Sequence, residues 1–142
     1  MTLEQIHAAI PHRAPMLLVD EIVEQSDDCI TCRKTFRDDE YFFQGHYPGY
    51  PLVPGVILCE SGMQAGAILL ARFVEEGGGV PVATRLGDVK FKKMVRPGDV
   101  IEMQVTLNER LADAFFLTAR VTCGGKLAAR FDFACTLAKV QA

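Results

Sequence analysis

Apolar residues recur along this chain in more than one rhythm, and each rhythm predicts a different kind of element. Beyond residue 98 the period is two: Ile101, Met103, Val105 and Leu107 alternate with Glu102, Gln104 and Thr106. Phe115, Leu117, Ala119 and Val121 then alternate with Phe116, Thr118, Arg120 and Thr122, and Phe131, Phe133, Cys135 and Leu137 repeat the pattern. Successive side chains of a strand point to opposite faces, so each run predicts a strand with one buried and one wet face. Gly124-Gly125 predicts a tight hairpin between the last two strands, and Arg96-Pro97-Gly98-Asp99 predicts another turn.

From Gly55 to Glu76 the alternation disappears. That run is too long for a strand, rich in helix formers and apolar nearly all round, which predicts one long helix ended by Gly77-Gly78-Gly79. Its length approaches a membrane span, but Glu60, Gln64, Arg72 and Glu75 interrupt it, and charge deep in lipid is costly. A helix buried on all sides of a soluble protein is the better reading. Gly62 and Gly66 weaken helix propensity and predict close approach of another backbone, from a strand or a partner subunit.

Ahead of that helix, Thr2-Leu3-Glu4-Gln5 reads as a capping box opening a short helix that ends before Pro11. The run from Met16 to Gln25 predicts a strand, and after Ser26-Asp27-Asp28 a second continues through about Phe36, making a hairpin. Residues 37–54 carry no period and read as loop. Only one helix is long and apolar enough to cover the antiparallel sheet, so the expected class is α+β, a sheet wrapped about a central helix.

Composition narrows the function classes. The 142 residues fit one domain, 1–142, and 49% hydrophobic with 23% charged residues excludes disorder. A formal charge of -3 gives no general attraction for nucleic acid. The N-terminus lacks the basic-then-apolar order of a secretory signal, so a cytoplasmic location is expected. Five cysteines, an odd number in mostly apolar patterns, read as reduced core thiols. Cys29 and Cys32 match a C-x-x-C spacing, but no second pair follows, and in an extended segment their side chains face opposite ways.

The chemistry concentrates in His46-Tyr47-Pro48-Gly49-Tyr50-Pro51-Leu52-Val53-Pro54-Gly55, with Glu60 five residues later. Alone, His46 would be a solvated loop histidine and the prolines would be stiffeners. Glu60 has Leu58, Cys59 and Met63 around it, which predicts burial and calls for a functional reason. A base, an acid and the free N–H groups of a helix start at Gly55 and Val56 together suit proton transfer beside a carbonyl. Gln64, four residues after Glu60, lies on the same helix face, and helix start, carboxyl and amide are expected to form one stripe leading inward.

These residues also carry a resemblance. Ile10-Pro11-His12-Arg13 with Leu17-Leu18-Val19-Asp20, then Phe43-Gln44-Gly45-His46-Tyr47-Pro48-Gly49 through Pro54-Gly55, then Glu60 and Gln64, resemble the FabZ-type 3-hydroxyacyl-[acyl-carrier-protein] dehydratases, enzymes of the hotdog fold. The likeness runs from about residue 5 to residue 138. It implies dehydration of (3R)-3-hydroxyacyl thioesters to trans-2-enoyl thioesters in fatty-acid biosynthesis, with no metal or redox cofactor. It further implies His46 as base and Glu60 as acid, met across a dimer that commonly assembles into hexamers. Gly55 matches the position whose N–H polarises the thioester carbonyl, Leu52 one whose carbonyl orients the histidine, and Gln64 one that supports the carboxyl group. The sister dehydratase/isomerases carry aspartate where Glu60 stands.

The chain departs from the family pattern at Ser61-Gly62-Met63 and at Tyr50, positions that bear on the acyl tunnel rather than on the acid or the base. Lys90, Lys92, Lys93 and Arg96 form a basic cluster in an acidic protein. They are the wet face of a strand or a docking patch for an acidic acyl carrier protein. His12 and Arg13 read first as structural, with contact to substrate or carrier as the alternative, and His7 as a surface residue. The rival readings are a dehydratase that also isomerises its product, a thioesterase on the same fold, and a non-catalytic acyl-thioester binding module.

Overall fold

The computed structural model describes residues 3–139, so Thr2, which would open the predicted capping box, lies outside the described residues. A short helix α1 (Leu3–Ala9) precedes strands β1 (Glu21–Gln25) and β2 (Cys29–Thr35). Helices α2 (Gly55–Leu69) and α3 (Ala71–Gly77) follow, then β3 (Val80–Phe91), β4 (Val100–Leu111), β5 (Ala114–Cys123) and β6 (Lys126–Ala138). The strands make one antiparallel sheet in the order β1-β2-β4-β5-β6-β3, and α2 packs against β2, β4, β5 and β6. This is the expected α+β hotdog arrangement, with the helix in the curl of the sheet.

The period-two runs become rows across the sheet. Ile30, Val105, Ala119 and Phe131 stand opposite one another on β2, β4, β5 and β6, as do Cys32, Met103, Val121 and Ala129, and all eight are inaccessible to solvent. Each large side chain so buried contributes about 1.5–3 kcal/mol. The β5–β6 hairpin turns on Gly124 and Gly125 at φ 59° and 78°, a mirror-image turn that glycine adopts without strain.

Where the structure departs from the sequence pattern, the cause is tertiary. The predicted strand at Met16 begins only at Glu21, because the Gln64 side chain takes the hydrogen bonds a neighbouring strand would have made. Gln64 accepts from the Leu18 N–H at 2.7 Å and donates to the Met16 carbonyl at 2.9 Å. The single long helix is two, separated at buried Leu70, where the Phe73 N–H reaches the Leu70 carbonyl three residues back. After the bend the Phe73 ring packs on Phe115, centroids 5.0 Å apart. The loop 37–54 contains one 3-10 turn, Tyr41–Gln44, which buries Phe42 and Phe43.

Gly62 and Gly66 do mark close approach, but of aromatic rings rather than backbone. A Cβ on Gly62 would lie 2.7 Å from Phe131 Cζ, and one on Gly66 would lie 2.6 Å from Phe133 Cζ. Two glycines on one helix face thus admit two phenylalanines of β6. Among the described residues no helix is long and apolar enough to cross a membrane.

Candidate active site

His46 is set by a loop whose backbone groups are paired with one another. The Tyr47 and Tyr50 N–H groups each reach the other's carbonyl, at 3.0 and 2.9 Å, around Pro48 and Gly49, the latter at φ 76°. Proline then glycine at the two central positions is the chemistry of a type II turn. Below it the Leu52 N–H donates to the His46 carbonyl at 2.9 Å, and His46 Nδ1 lies 3.0 Å from the Leu52 carbonyl. A carbonyl only accepts, so Nδ1 carries the hydrogen and the neutral ring presents a lone pair at Nε2. Tyr47 stacks on the imidazole with centroids 4.1 Å apart.

Two anchors hold this loop. Val53 N–H donates to the Val95 carbonyl at 2.8 Å. Lys34, only 6% exposed at its side chain, pairs with Glu40 at 2.8 Å, and Glu40 also accepts from the Arg37 N–H. Nothing along the chain signals this pair beyond a lysine at an inward-facing position of β2. Pro54 precedes α2 as its N-cap and no side chain caps the helix, so the N–H groups of Gly55 and Val56, which have no intrahelical acceptor at a helix start, are left without a side-chain one as well. The Phe91 ring sits over Gly55 so closely that a Cβ there would lie 2.8 Å from it.

Glu60 belongs to another face of the helix. Five positions rotate the helix by roughly 500°, leaving Gly55 and Glu60 roughly 140° apart, so the predicted single stripe does not form. Gln64, 1% exposed, uses its whole amide: Oε1 on Leu18, and Nε2 on Met16 and on Glu60 Oε2 at 2.9 Å. The Glu60 side chain is 26% exposed rather than buried, because it opens into a cavity of about 230 Å³. His12, Met63, Ala67, Val82 of β3 and Cys135 also line that cavity, and His46, Gly55 and Val56 do not. Burial pushes the Cys135 thiol up to about 11.

The remaining sequence candidates divide unevenly. Gln64 joins Glu60 and Leu52 joins His46, but the two groups stay apart within one chain. In the basic cluster Lys93 donates to the Cys123 carbonyl at 3.2 Å and Arg96 to the Tyr50 hydroxyl at 3.0 Å. Lys90 and Lys92 are exposed. Arg13 is structural, donating to the carbonyls of His7, Ile10 and His12. His12 is not merely so: its Nε2 lies 4.0 Å from Glu60 Oε2. Cys29 is half-buried and Cys32 fully buried, its thiol pushed by burial up to about 12, as opposite faces of a strand require. Among the described residues no group of three or more His, Cys, Asp or Glu could hold a metal ion.

Comparison with known proteins gives a consistent picture. Residues 10–132 match the model of the FabA-like domain. The chain is 42% identical over 137 residues to the 3-hydroxyacyl-[acyl-carrier-protein] dehydratase FabZ of Streptococcus pyogenes serotype M5 (strain Manfredo), covering 95% of this chain and 99% of that protein. FabZ of Streptococcus pyogenes serotype M1 gives the same figures. Among solved structures, the dehydratase heterocomplex ApeI:P from Xenorhabdus doucetiae superposes with a TM-score of 0.79 at 18% identity, over 94% of this chain and 91% of the other. The Escherichia coli PaaI protein from the phenylacetic acid degradation operon superposes at 0.65 and 14%, over 82% and 81%. At such identities the structural likeness is one of fold.

Proposed function

The chain belongs to the FabA-like domain family, and from that membership we propose that it dehydrates (3R)-3-hydroxyacyl-[acyl-carrier-protein] thioesters to trans-2-enoyl thioesters in fatty-acid biosynthesis, in the cytoplasm. The observation that carries the reading is the orientation of His46, whose Nδ1 is held by the Leu52 carbonyl so that Nε2 is free to accept a proton. His46 removes the proton from C2 of the substrate. The negative charge that builds on the thioester oxygen is met by the N–H groups of Gly55 and Val56, reinforced by the helix dipole. Glu60 then protonates the hydroxyl on C3, which departs as water while the C2–C3 double bond forms. The proton on His46 must return to Glu60 before the next turnover.

Gln64 refines the acid's geometry. Because Oε2 of Glu60 already accepts from the Gln64 amide, the acid proton belongs on Oε1, the oxygen left for substrate.

His46 and Glu60 complete one site only when two copies meet. The Glu60 cavity is walled by Pro81, Val82 and Ala83 of β3, and β3 is an edge strand of twelve residues with Val82, Leu86 and Phe91 exposed. Long apolar edges seek a partner strand, so pairing of two β3 strands brings each Glu60 toward the other subunit's His46 loop. Three such dimers make the hexamer. Lys90 and Lys92 lie on this strand and the segment just after it, and with Lys93 and Arg96 they form the docking surface for the acidic carrier protein.

The deciding experiment supplies 3-hydroxyacyl carrier protein and follows enoyl product. His46→Ala and Glu60→Gln should each lose about 10²–10⁴-fold in kcat, the usual worth of a positioned acid or base. Turnover by both variants at the wild-type rate would sink the reading.

A further inference from the structure

His12 has an unusual environment. Its Nδ1 is buried and, among the described residues, is the single buried side-chain nitrogen or oxygen without a hydrogen-bond partner. Unpaired buried polar atoms cost stability and call for a reason. A hydrogen on Nδ1 would be an unpaired buried donor, so the neutral ring carries its hydrogen on Nε2, the atom 4.0 Å from Glu60 Oε2. Arg13 fixes the segment by donating to the carbonyls of His7, Ile10 and His12 at 3.1, 2.9 and 2.7 Å. The ring is thereby aimed into the cavity that Glu60 lines.

We propose that His12 is a positioning residue for Glu60: its Nε2–H joins the Gln64 amide in holding one carboxyl oxygen, so that the other presents the proton to the leaving hydroxyl. The inference rests on the reading of Glu60 as the acid. A separation of 4.0 Å is beyond a hydrogen bond, but contacts of this kind tighten when substrate is bound. Gln64 alone fixes Oε2 from one side and leaves the carboxyl free to rotate about that contact; a second donor removes the rotation. The other titratable group lining the cavity, the Cys135 thiol, stays neutral below its value of about 11, and the Arg13 guanidinium is committed to backbone carbonyls.

The test compares His12→Leu, which keeps bulk and removes the donor, with His12→Gln, which restores an N–H. In H12L, kcat should fall about tenfold or more with KM within about twofold, a fraction of what a full acid supplies. Its thermal midpoint should hold or rise, because an orphaned polar atom has been removed. H12Q should recover most of kcat. Unchanged kcat in H12L would overturn the inference, as would a loss that follows a lowered thermal midpoint and is not recovered by H12Q. Wild-type turnover by E60Q would instead overturn the acid assignment itself, whatever the His12 variants do.

Discussion

The two halves of the proposed site are built on opposite principles. The histidine half is a loop whose backbone hydrogen bonds close on one another, so that His46 is oriented by Leu52 six residues away. The glutamate half is a helix face whose support comes from far along the chain: Gln64 bonds to Met16 and Leu18, 48 and 46 positions off, and then to Glu60. One half is specified by local turn chemistry and the other by tertiary packing. A local turn tolerates displacement as a unit, whereas a carboxyl hung on a long-range network depends on every member of it.

The strongest way to break the comparison is to separate the halves onto different chains. H46A and E60Q, each nearly inactive alone, should regain about a quarter of wild-type activity when mixed and allowed to exchange subunits. In a two-fold dimer half the molecules are then mixed and one of their two sites is intact. Activity that stays at the level of the separate variants would mean that each site is built within one chain.

Next in size is the anchor of the histidine loop. Glu40→Ala leaves the buried Lys34 charge with only Asp20, 3.8 Å away, so denaturant unfolding should show a loss approaching the about 3–5 kcal/mol of a halved buried pair. A loss below about 1 kcal/mol would place the pair with solvent-exposed ones.

The smallest effect sharpens the helix side. Gly62→Ala drives a methyl to within 2.7 Å of Phe131, a ring inaccessible to solvent and unable to swing away. Overpacking costs about 1–3 kcal/mol, against about 1 kcal/mol gained in helix propensity, so urea unfolding should show a small net loss. Gly55→Ala meets Phe91 at 2.8 Å, but that ring is 53% exposed and can move aside, leaving stability nearly unchanged. Equal losses at both glycines would contradict the distinction.

Much of this was legible in the chain. Alternation at 101–107, 115–121 and 131–137 named the strands and their inward faces, and Gly124-Gly125 named the hairpin, because both signals are local. The His46 turn was legible for the same reason. His12 was not, since the sequence shows a histidine after Pro11 and nothing of the carboxyl it faces. The helix break at Leu70 also escaped, because a run of helix formers carries no mark of where Phe73 will find Phe115.

The sequence by itself determined the element types, the inward faces, the turn that carries His46 and the family to which these residues belong. Only the tertiary structure decided that Met16–Asp20 would bond to a glutamine rather than a strand, and that the two glycines of α2 would admit rings. It also decided that Glu60 would open into a cavity, lined by His12 and β3, that the helix start does not reach. The reason is physical. Period and turn chemistry act between neighbours, while hydrogen-bond satisfaction and close packing are settled between segments that the chain keeps far apart.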